Sequence, residues 1–174
     1  MLHYSPDQLH LYMMDFKGGT EFKIYESERL PHIQLLALDA MQEFGESILQ
    51  NLIEEMENRS NAFKNAGGYT KIEDYVRGTG NPMPRILVIM DEFQILFDDS
   101  TNRKVAMRSA NHAKRIVTEG RAYGVHLLMA TQSTNIISTL TLDRGTIEQM
   151  RVRIGLKCGE DDARYLFSDR YERD

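Results

Sequence analysis

Cysteine is almost absent from this sequence, since Cys158 is the only one among 174 residues. A single cysteine excludes an internal disulfide framework and a cysteine-rich zinc site, and it fits a reducing compartment. Long apolar runs are also absent, because no stretch reaches the about 18 residues that indicate a membrane-spanning helix. The first residues have neither the basic start nor the apolar centre of a signal peptide. We therefore expect a cytoplasmic chain without lipid contact, and leave open whether a longer parent protein is anchored to the inner face of the cell membrane.

A Gly-Lys pair is missing from the sequence. The phosphate-binding Walker A loop requires Gly-x-x-x-x-Gly-Lys-[Ser/Thr], in which backbone amides and the lysine hold the phosphates. The segment Lys17-Gly18-Gly19-Thr20 is therefore not such a loop. Gly18 and Gly19 instead predict a tight turn.

An excess of positive charge is missing too. Lysine and arginine number 21 against 26 aspartates and glutamates, which gives a net charge of −5. No global basic field therefore favours nucleic acid, although a local basic patch remains compatible with DNA binding. Such a patch is predicted on residues 101–124, where six cations face one acid: Arg103, Lys104, Arg108, Lys114, Arg115 and Arg121 against Glu119. DNA phosphates, a solvated helix face and a subunit interface all remain open as explanations.

The sequence does contain short apolar runs separated by helical patterns. With 41% hydrophobic residues, the chain can form one domain or most of one. Continuous apolar runs predict buried strands at 9–14, 33–38, 85–90 and 125–130. Val152, Ile154 and Leu156 alternate with basic residues, which predicts an edge strand.

Two long helices are predicted between these strands. Asp39 and Gln42 resemble a capping box, and an apolar stripe then predicts a helix over 40–66: Met41, Phe44, Ile48, Leu52, Met56 and Phe63. A second helix covers 101–123 and ends at Gly124 as a C-cap glycine. Residues 67–84 are rich in glycine and proline and predict a loop with one helical turn at 72–76.

Polar residues follow several of the predicted strands where each strand ends. Asp15, Asp91, Glu92, Thr131 and Gln132 all occupy such positions. In parallel sheets covered by helices, ligands lie outside the carboxyl ends of the strands. The sequence therefore predicts a site at this edge of the sheet.

The segment from Leu87 to Glu92 has the Walker B pattern, four apolar residues followed by Asp-Glu. In that pattern the first carboxylate, Asp91, lies in the magnesium shell, and the second, Glu92, orients or deprotonates the attacking water. An acidic pair that merely ends a strand in solvent is the competing interpretation. The neighbouring motifs decide between them.

The chain resembles the motor domain of the FtsK/SpoIIIE family over residues 5–167. The matching segments, in the order of the family, are Ser5-Pro6, Asp15-Phe16-Lys17-Gly18-Gly19, Leu30-Pro31-His32, Glu55-Met56-Glu57-Asn58-Arg59, Asp91-Glu92-Phe93, Gly120-Arg121-Ala122-Tyr123-Gly124-Val125-His126-Leu127 and Ala130-Thr131-Gln132. Seven matches in one order are hard to produce by chance. The resemblance implies a RecA-like α/β three-layer sandwich, a mainly parallel sheet with helices on both faces, truncated here at its N-terminal strand and P-loop helix.

The resemblance also implies an ATPase that binds ATP and Mg²⁺ between the subunits of a homo-oligomeric ring, usually a hexamer. Asp91 would be the magnesium-shell acid, Glu92 the catalytic base, Gln132 the sensor of the γ-phosphate and Arg121 an arginine finger reaching across the interface. The residues expected beside the nucleotide are Asp15, Lys17, Gly18, Gly19 and Thr131.

Structural explanations compete with these roles. Gln132 could serve as a hydrogen bonder at the start of a loop, and Arg121 could favour the negative end of a helix dipole. Arg59 is a competing finger, although its aliphatic stem could instead cover the core while its guanidinium reaches water.

Three functions are compatible with this pattern. The first is an ATP-driven translocase of double-stranded DNA, and the second is the coupling ATPase of a type VII secretion system, which moves proteins. The third is a non-catalytic assembly module that supplies Arg121 to other subunits. The missing Walker A loop favours the third, whereas Asp91 and Glu92 favour an active motor.

Because the Walker A loop is missing, we expect the 174-residue chain alone not to hydrolyse ATP. Phosphate release with Mg²⁺ should equal that of a Glu92→Gln variant purified in parallel. A rate well above that of the variant would show that the loop is dispensable.

Overall fold

The structure is a computed structural model that describes residues 3–19, 21–27, 30–132, 142–157 and 159–167. Thr20 and Cys158 lie outside the described residues. Strands and helices alternate along the chain, as in α/β proteins. The elements are β1 (Leu9–Asp15), α1 (Ile24–Ser27), β2 (Ile33–Ala37), α2 (Gln42–Asn65), α3 (Ile72–Thr79), β3 (Arg85–Asp91), α4 (Gln94–Phe97), α5 (Asp99–Tyr123), β4 (Val125–Ala130), α6 (Arg144–Gln149) and α7 (Glu160–Phe167).

The four strands form one parallel sheet in the order β2-β1-β3-β4. The predicted α/β fold with a parallel sheet is thereby confirmed. The register places Asp15 beside Asp91, and Asp91 beside Ala130. All four strands point the same way, so their carboxyl ends meet at one edge.

The main core lies between one face of this sheet and the helices α2 and α5. Met14, Val88 and Met90 are fully buried on that face. Small side chains of α5, among them Ala113, are buried in this core. Gly120 is required for the contact between α5 and β4, because a Cβ atom there would lie 2.4 Å from the Val125 carbonyl oxygen.

The start of α2 differs from the prediction. Asp39 does not form a capping box, since the N-cap is Met41 and makes no side-chain cap hydrogen bond. Gln42 instead donates from Nε2 to the carbonyl oxygens of Ile95, at 2.6 Å, and Asp98, at 2.8 Å. Its amide nitrogen therefore ties α2 to α4, while its Oε1 has no hydrogen-bond partner. Met41 and Phe44 are exposed, so the buried stripe begins later than predicted.

The predicted loop at 67–84 contains the eight-residue helix α3, which is longer than the single turn expected. Ile72 is buried, and the Tyr75 ring lies 5.1 Å from that of Phe63. Gly80 ends the helix with φ 72°, the left-handed conformation that glycine adopts without strain. Tertiary packing of two residues thus stabilises a helix in a segment that composition marks as loop.

The predicted edge strand at 151–157 is wrong. None of these residues forms a strand, and Val152, Ile154 and Leu156 are between 77% and 85% exposed. An edge strand needs a neighbour for its backbone groups and a surface for its apolar face. The structure gives this segment neither among the described residues.

Arg59 has a structural position in α2. Its side chain is 3% exposed; Nε donates to Glu55 Oε1 at 2.7 Å, and Nη1 donates to the Tyr123 carbonyl oxygen at 2.7 Å. The guanidinium thus does not reach water as expected. It joins α2 to the carboxyl end of α5, where cations are favoured by the helix dipole.

Three of the six basic residues of α5 are paired with acids of neighbouring elements. Arg108 contacts Glu46 at 3.0 Å, Arg115 contacts Glu57 at 2.8 Å, and Lys114 contacts Asp143 at 3.0 Å. The cluster of cations in the sequence is therefore partly neutralised in the fold.

No helix among the described residues is both long enough and apolar enough to cross a membrane.

We expect Arg59→Ala to lower the free energy of unfolding by about 2–3 kcal/mol, because it leaves the Tyr123 carbonyl without its charged donor. Arg77→Ala is the matched control, since it removes an exposed ion pair with Asp74 and should cost at most about 0.5 kcal/mol. Urea unfolding followed by circular dichroism compares the two. Equal losses would contradict the structural role of Arg59.

Candidate site at the carboxyl edge of the sheet

The candidate site forms where β1, β3 and β4 end. Asp15 closes β1 and Asp91 closes β3, and the two residues are direct neighbours in the sheet. The Asp91 carbonyl accepts a hydrogen bond from the Phe16 amide, and the Asp15 carbonyl accepts one from the Ala40 amide at 2.8 Å. These bonds hold the backbone beside the two acids in place.

Three carboxylates converge at this edge. Asp15, Glu21 and Asp91 each offer an oxygen atom, and these atoms lie within 4.8 Å of one another. Asp15 is fully buried; Oδ1 accepts a hydrogen bond from the Lys17 amide at 2.8 Å, whereas Oδ2 has no hydrogen-bond partner. Glu21 was not singled out from the sequence, because it joins the other two acids only through the loop after β1.

The electrostatics of Asp91 follow from this crowding. Burial raises the pKa of the Asp91 carboxyl above its ordinary value, and the negative charges of Asp15, Glu92 and Glu21 raise the pKa further. A carboxylate among other carboxylates favours either a proton or a bound cation. The site therefore has the electrostatic character of a cation-binding position.

The side chain of Glu92 is buried. Glu92 is 2% exposed and has φ 50°, a left-handed conformation that is unusual for a residue other than glycine. Gln94 donates from Nε2 to Glu92 Oε2, and Lys17 Nζ lies 3.6 Å from Glu92 Oε1. Backbone strain of this kind clusters at functional sites. Gln94 was not predicted as a site residue, and its spacing from Glu92 is the signal that could have indicated it.

The glycines after β1 keep space open beside the acids. Gly18 has φ 66°, the left-handed conformation that glycine adopts without strain. A Cβ atom on Gly19 would lie 2.5 Å from Asp15 Oδ2 and 2.1 Å from Glu21 Oε2. A side chain at this position would therefore occupy the gap between the two carboxylates.

Thr131 and Gln132 lie at the same edge, directly after β4. The preceding residue, Ala130, is the register partner of Asp91 and accepts a hydrogen bond from the Phe93 amide at 3.2 Å. Gln132 is exposed and Thr131 is partly buried. The structure thus brings both residues near the acids, while their roles remain predictions.

Arg121 lies elsewhere. It is exposed near the end of α5, and the rise of about 1.5 Å per helical residue puts it roughly 24 Å along the helix from Val105. That end of α5 precedes the amino end of β4, opposite the carboxylates. Arg121 cannot reach the site of its own chain, so a role as a finger remains a prediction about a neighbouring subunit.

A cavity of about 500 Å³ lies near the amino ends of the strands, away from the acids. His10, Tyr12, Glu55 and Arg59 contribute to its lining. Burial lowers the pKa of His10, and the nearby Arg59 cation lowers it further, so neutral imidazole is favoured there. Apart from Arg59, the predicted site residues do not line this cavity.

The residues at the carboxyl edge fit a divalent cation better than they fit a whole nucleotide. Mg²⁺ prefers oxygen ligands, and the buried, unpartnered Asp15 Oδ2 is an oxygen available to such an ion. The phosphate groups of ATP need backbone amides and a lysine that this sequence does not contain in the required motif. Asp91, with Asp15 and Glu21 beside it, would hold the ion.

Comparison with known proteins gives related sequences of two kinds. The DNA translocase FtsK of Streptococcus pyogenes serotype M1 is 33% identical over 152 residues, covering 80% of this chain and 18% of the translocase. The ESX secretion system protein EccC of Thermomonospora curvata is 28% identical over 161 residues, covering 88% of this chain and 11% of that protein. The chain therefore spans less than a fifth of the length of either relative.

Solved structures show the same fold. The cytoplasmic domain of the type VII secretion ATPase EccC from Thermomonospora curvata matches with a TM-score of 0.64 and 27% identity, over 84% of this chain and 16% of that one. The conjugation coupling protein TcpA of pCW3 matches with a TM-score of 0.57, over 83% of this chain and 44% of that one; at 22% identity it shows the fold alone. The model of the FtsK/SpoIIIE family matches residues 1–135, and the chain belongs to that family.

Proposed function

We propose that this chain supplies the magnesium-binding and water-activating part of an ATPase site in a motor protein, and that residues 1–174 are part of a single ATPase domain. The observation that carries the proposal is the pairing of Asp15 with Asp91 at the strand ends, with Glu92 directly after them. The family membership supports it, because FtsK/SpoIIIE proteins include motor ATPases.

The roles of the acids follow from their surroundings. Asp91 and Asp15 would hold Mg²⁺, which neutralises the negative charge of the phosphates when it is bound. Glu92 would take a proton from the attacking water or orient it. Its Oε2 accepts a hydrogen bond from Gln94, whereas its Oε1, 3.6 Å from Lys17 Nζ, has no hydrogen-bond partner. Oε1 is therefore the oxygen that would contact the water molecule.

The remaining parts of the proposed site would come from residues other than these three acids. Gln132, at the end of β4, would contact the γ-phosphate, and Thr131 would lie beside the nucleotide. Arg121 is exposed at the far end of α5, a position suited to the site of a neighbouring subunit in a ring. The phosphate-binding loop would be supplied by another segment of the parent protein or by another subunit.

Double-stranded DNA is the polymer that we propose the parent protein moves. The support is the 33% identity to the FtsK translocase, compared with 28% to the EccC protein. The paired cations of α5 do not add to this support, because Arg108, Lys114 and Arg115 already contact acids of the same chain.

Protein secretion is the second candidate, favoured by a different observation. The EccC relative aligns with more of the chain, 88% against 80%, and a solved EccC structure matches with a TM-score of 0.64. In this case the parent would be a coupling ATPase of a type VII secretion system, with a protein as its substrate.

The test is Mg²⁺-dependent ATP hydrolysis by a polypeptide extended upstream to include a Gly-Lys-[Ser/Thr] loop, with and without duplex DNA. We expect DNA to stimulate turnover and Glu92→Gln to reduce it by roughly 10²–10⁴-fold, as for the loss of a general base. Glu54→Gln, the same change at an exposed position of α2, should leave the rate within about twofold, as expected for a surface substitution.

The possible outcomes separate the candidates. Turnover that is abolished by Glu92→Gln but indifferent to DNA would favour protein secretion. Equal rates in Glu92→Gln and Glu54→Gln would remove Glu92 from the mechanism. The absence of turnover, or of any such loop upstream, would leave the assembly module that donates Arg121.

A further inference from the structure

We propose that the carboxylates of Asp15, Glu21 and Asp91 form a binding site for one divalent cation of the size of Mg²⁺ or Mn²⁺, which this chain binds without nucleotide. The inference deepens the proposed function at the same edge of the sheet. It goes further, because it assigns Glu21 as a ligand and requires no ATP.

The geometry suits a single ion. Two oxygens on opposite sides of a cation at 2.0–2.6 Å are about 4–5 Å apart. The three carboxylate oxygens lie within 4.8 Å of one another. One ion can therefore contact all three residues after small side-chain movements.

An independent observation comes from Asp15 itself. Its side chain is fully buried and its Oδ2 has no hydrogen-bond partner, although Oδ1 is bound by the Lys17 amide. An ionised carboxylate at such a depth is unfavourable unless a partner or a metal ion compensates its charge. Oδ2 faces the other acids, because it and Glu21 Oε2 lie within 2.5 Å of the same point, the Cβ position of Gly19.

The missing side chain of Gly19 contributes to the site. A Cβ atom there would occupy the space between Asp15 Oδ2 and Glu21 Oε2, at 2.5 and 2.1 Å. Glu21 is exposed, so it can move toward an ion or be pushed away from one. The glycine therefore keeps open the position that a cation would take.

The negative charge of the three carboxylates also favours a divalent cation. The three acids carry up to three negative charges, and Lys17 is directed to Glu92, with Nζ 3.6 Å from Glu92 Oε1. A divalent ion would compensate most of the negative charge of the three acids.

The test is Mn²⁺ binding to the 174-residue chain without nucleotide, measured by the loss of the free-ion signal in electron paramagnetic resonance. We expect one ion per chain, displaced by Mg²⁺. Glu21→Gln should weaken binding by at least about 10–100-fold, the range seen when even an outer-shell partner is lost. Gly19→Ala should weaken it as well. Glu26→Gln is the matched control, an exposed acid five residues further along the chain, and should leave the affinity within about twofold.

Circular dichroism confirms that each variant is folded, and Glu21→Gln alters an exposed side chain, so a folding defect is not expected. No stoichiometric binding up to 1 mM Mn²⁺ (roughly the weakest range of protein Ca²⁺ sites) would overturn the proposal, as would equal affinities of Glu21→Gln and Glu26→Gln. These results are independent of the ATPase measurement. An extended polypeptide that hydrolyses ATP while this chain binds no Mn²⁺ would overturn the nucleotide-free site and leave the proposed function in place.

Discussion

The site depends on the in-register pairing of β1 with β3. Seven consecutive pairs run from Leu9 with Arg85 to Asp15 with Asp91. A slip of one residue would turn the buried side chains of one strand to the other face of the sheet. Met14 and Met90 are fully buried against α2 and α5, so the core itself fixes the register. The same constraint that buries the methionines therefore places the two aspartates side by side.

This arrangement has an energetic cost that is concentrated at the strand ends. Asp15 and Glu92 are buried carboxylates, and Glu92 also has a strained backbone conformation. The Lys17 amide, the Lys17 ammonium and the Gln94 amide offset part of that cost. A protein that needed only a stable sheet could end its strands with neutral residues. The acids are thus better explained by chemistry at this edge than by folding.

The sequence predicts the parts of the site that follow directly from strands and misses those that depend on loops. Apolar runs locate the ends of β1, β3 and β4, and with them Asp15, Asp91 and Gln132. Glu21 joins the cluster from the loop after β1, where Gly18 has a positive φ, and Gln94 contacts Glu92 in the turn after β3, where Glu92 has φ 50°. The predicted edge strand at 151–157 is wrong for a related reason. Alternating apolar and basic residues are a property of the segment alone, whereas a strand also needs a neighbouring strand to bond its backbone groups.

Helix α5 runs between the two regions that the proposed mechanism uses, the carboxyl edge of the sheet and Arg121. Its N-cap, Asp98, follows α4, and the Asp98 carbonyl is bound by Gln42 of α2. Its other end holds the exposed Arg121 and is tied to α2 by Arg59. Both ends of α5 are therefore fixed to the same helix, so the distance between the carboxylates and Arg121 is set by the fold. In a ring, that fixed distance would require Arg121 to serve the site of a neighbour, and each site would be completed only by assembly.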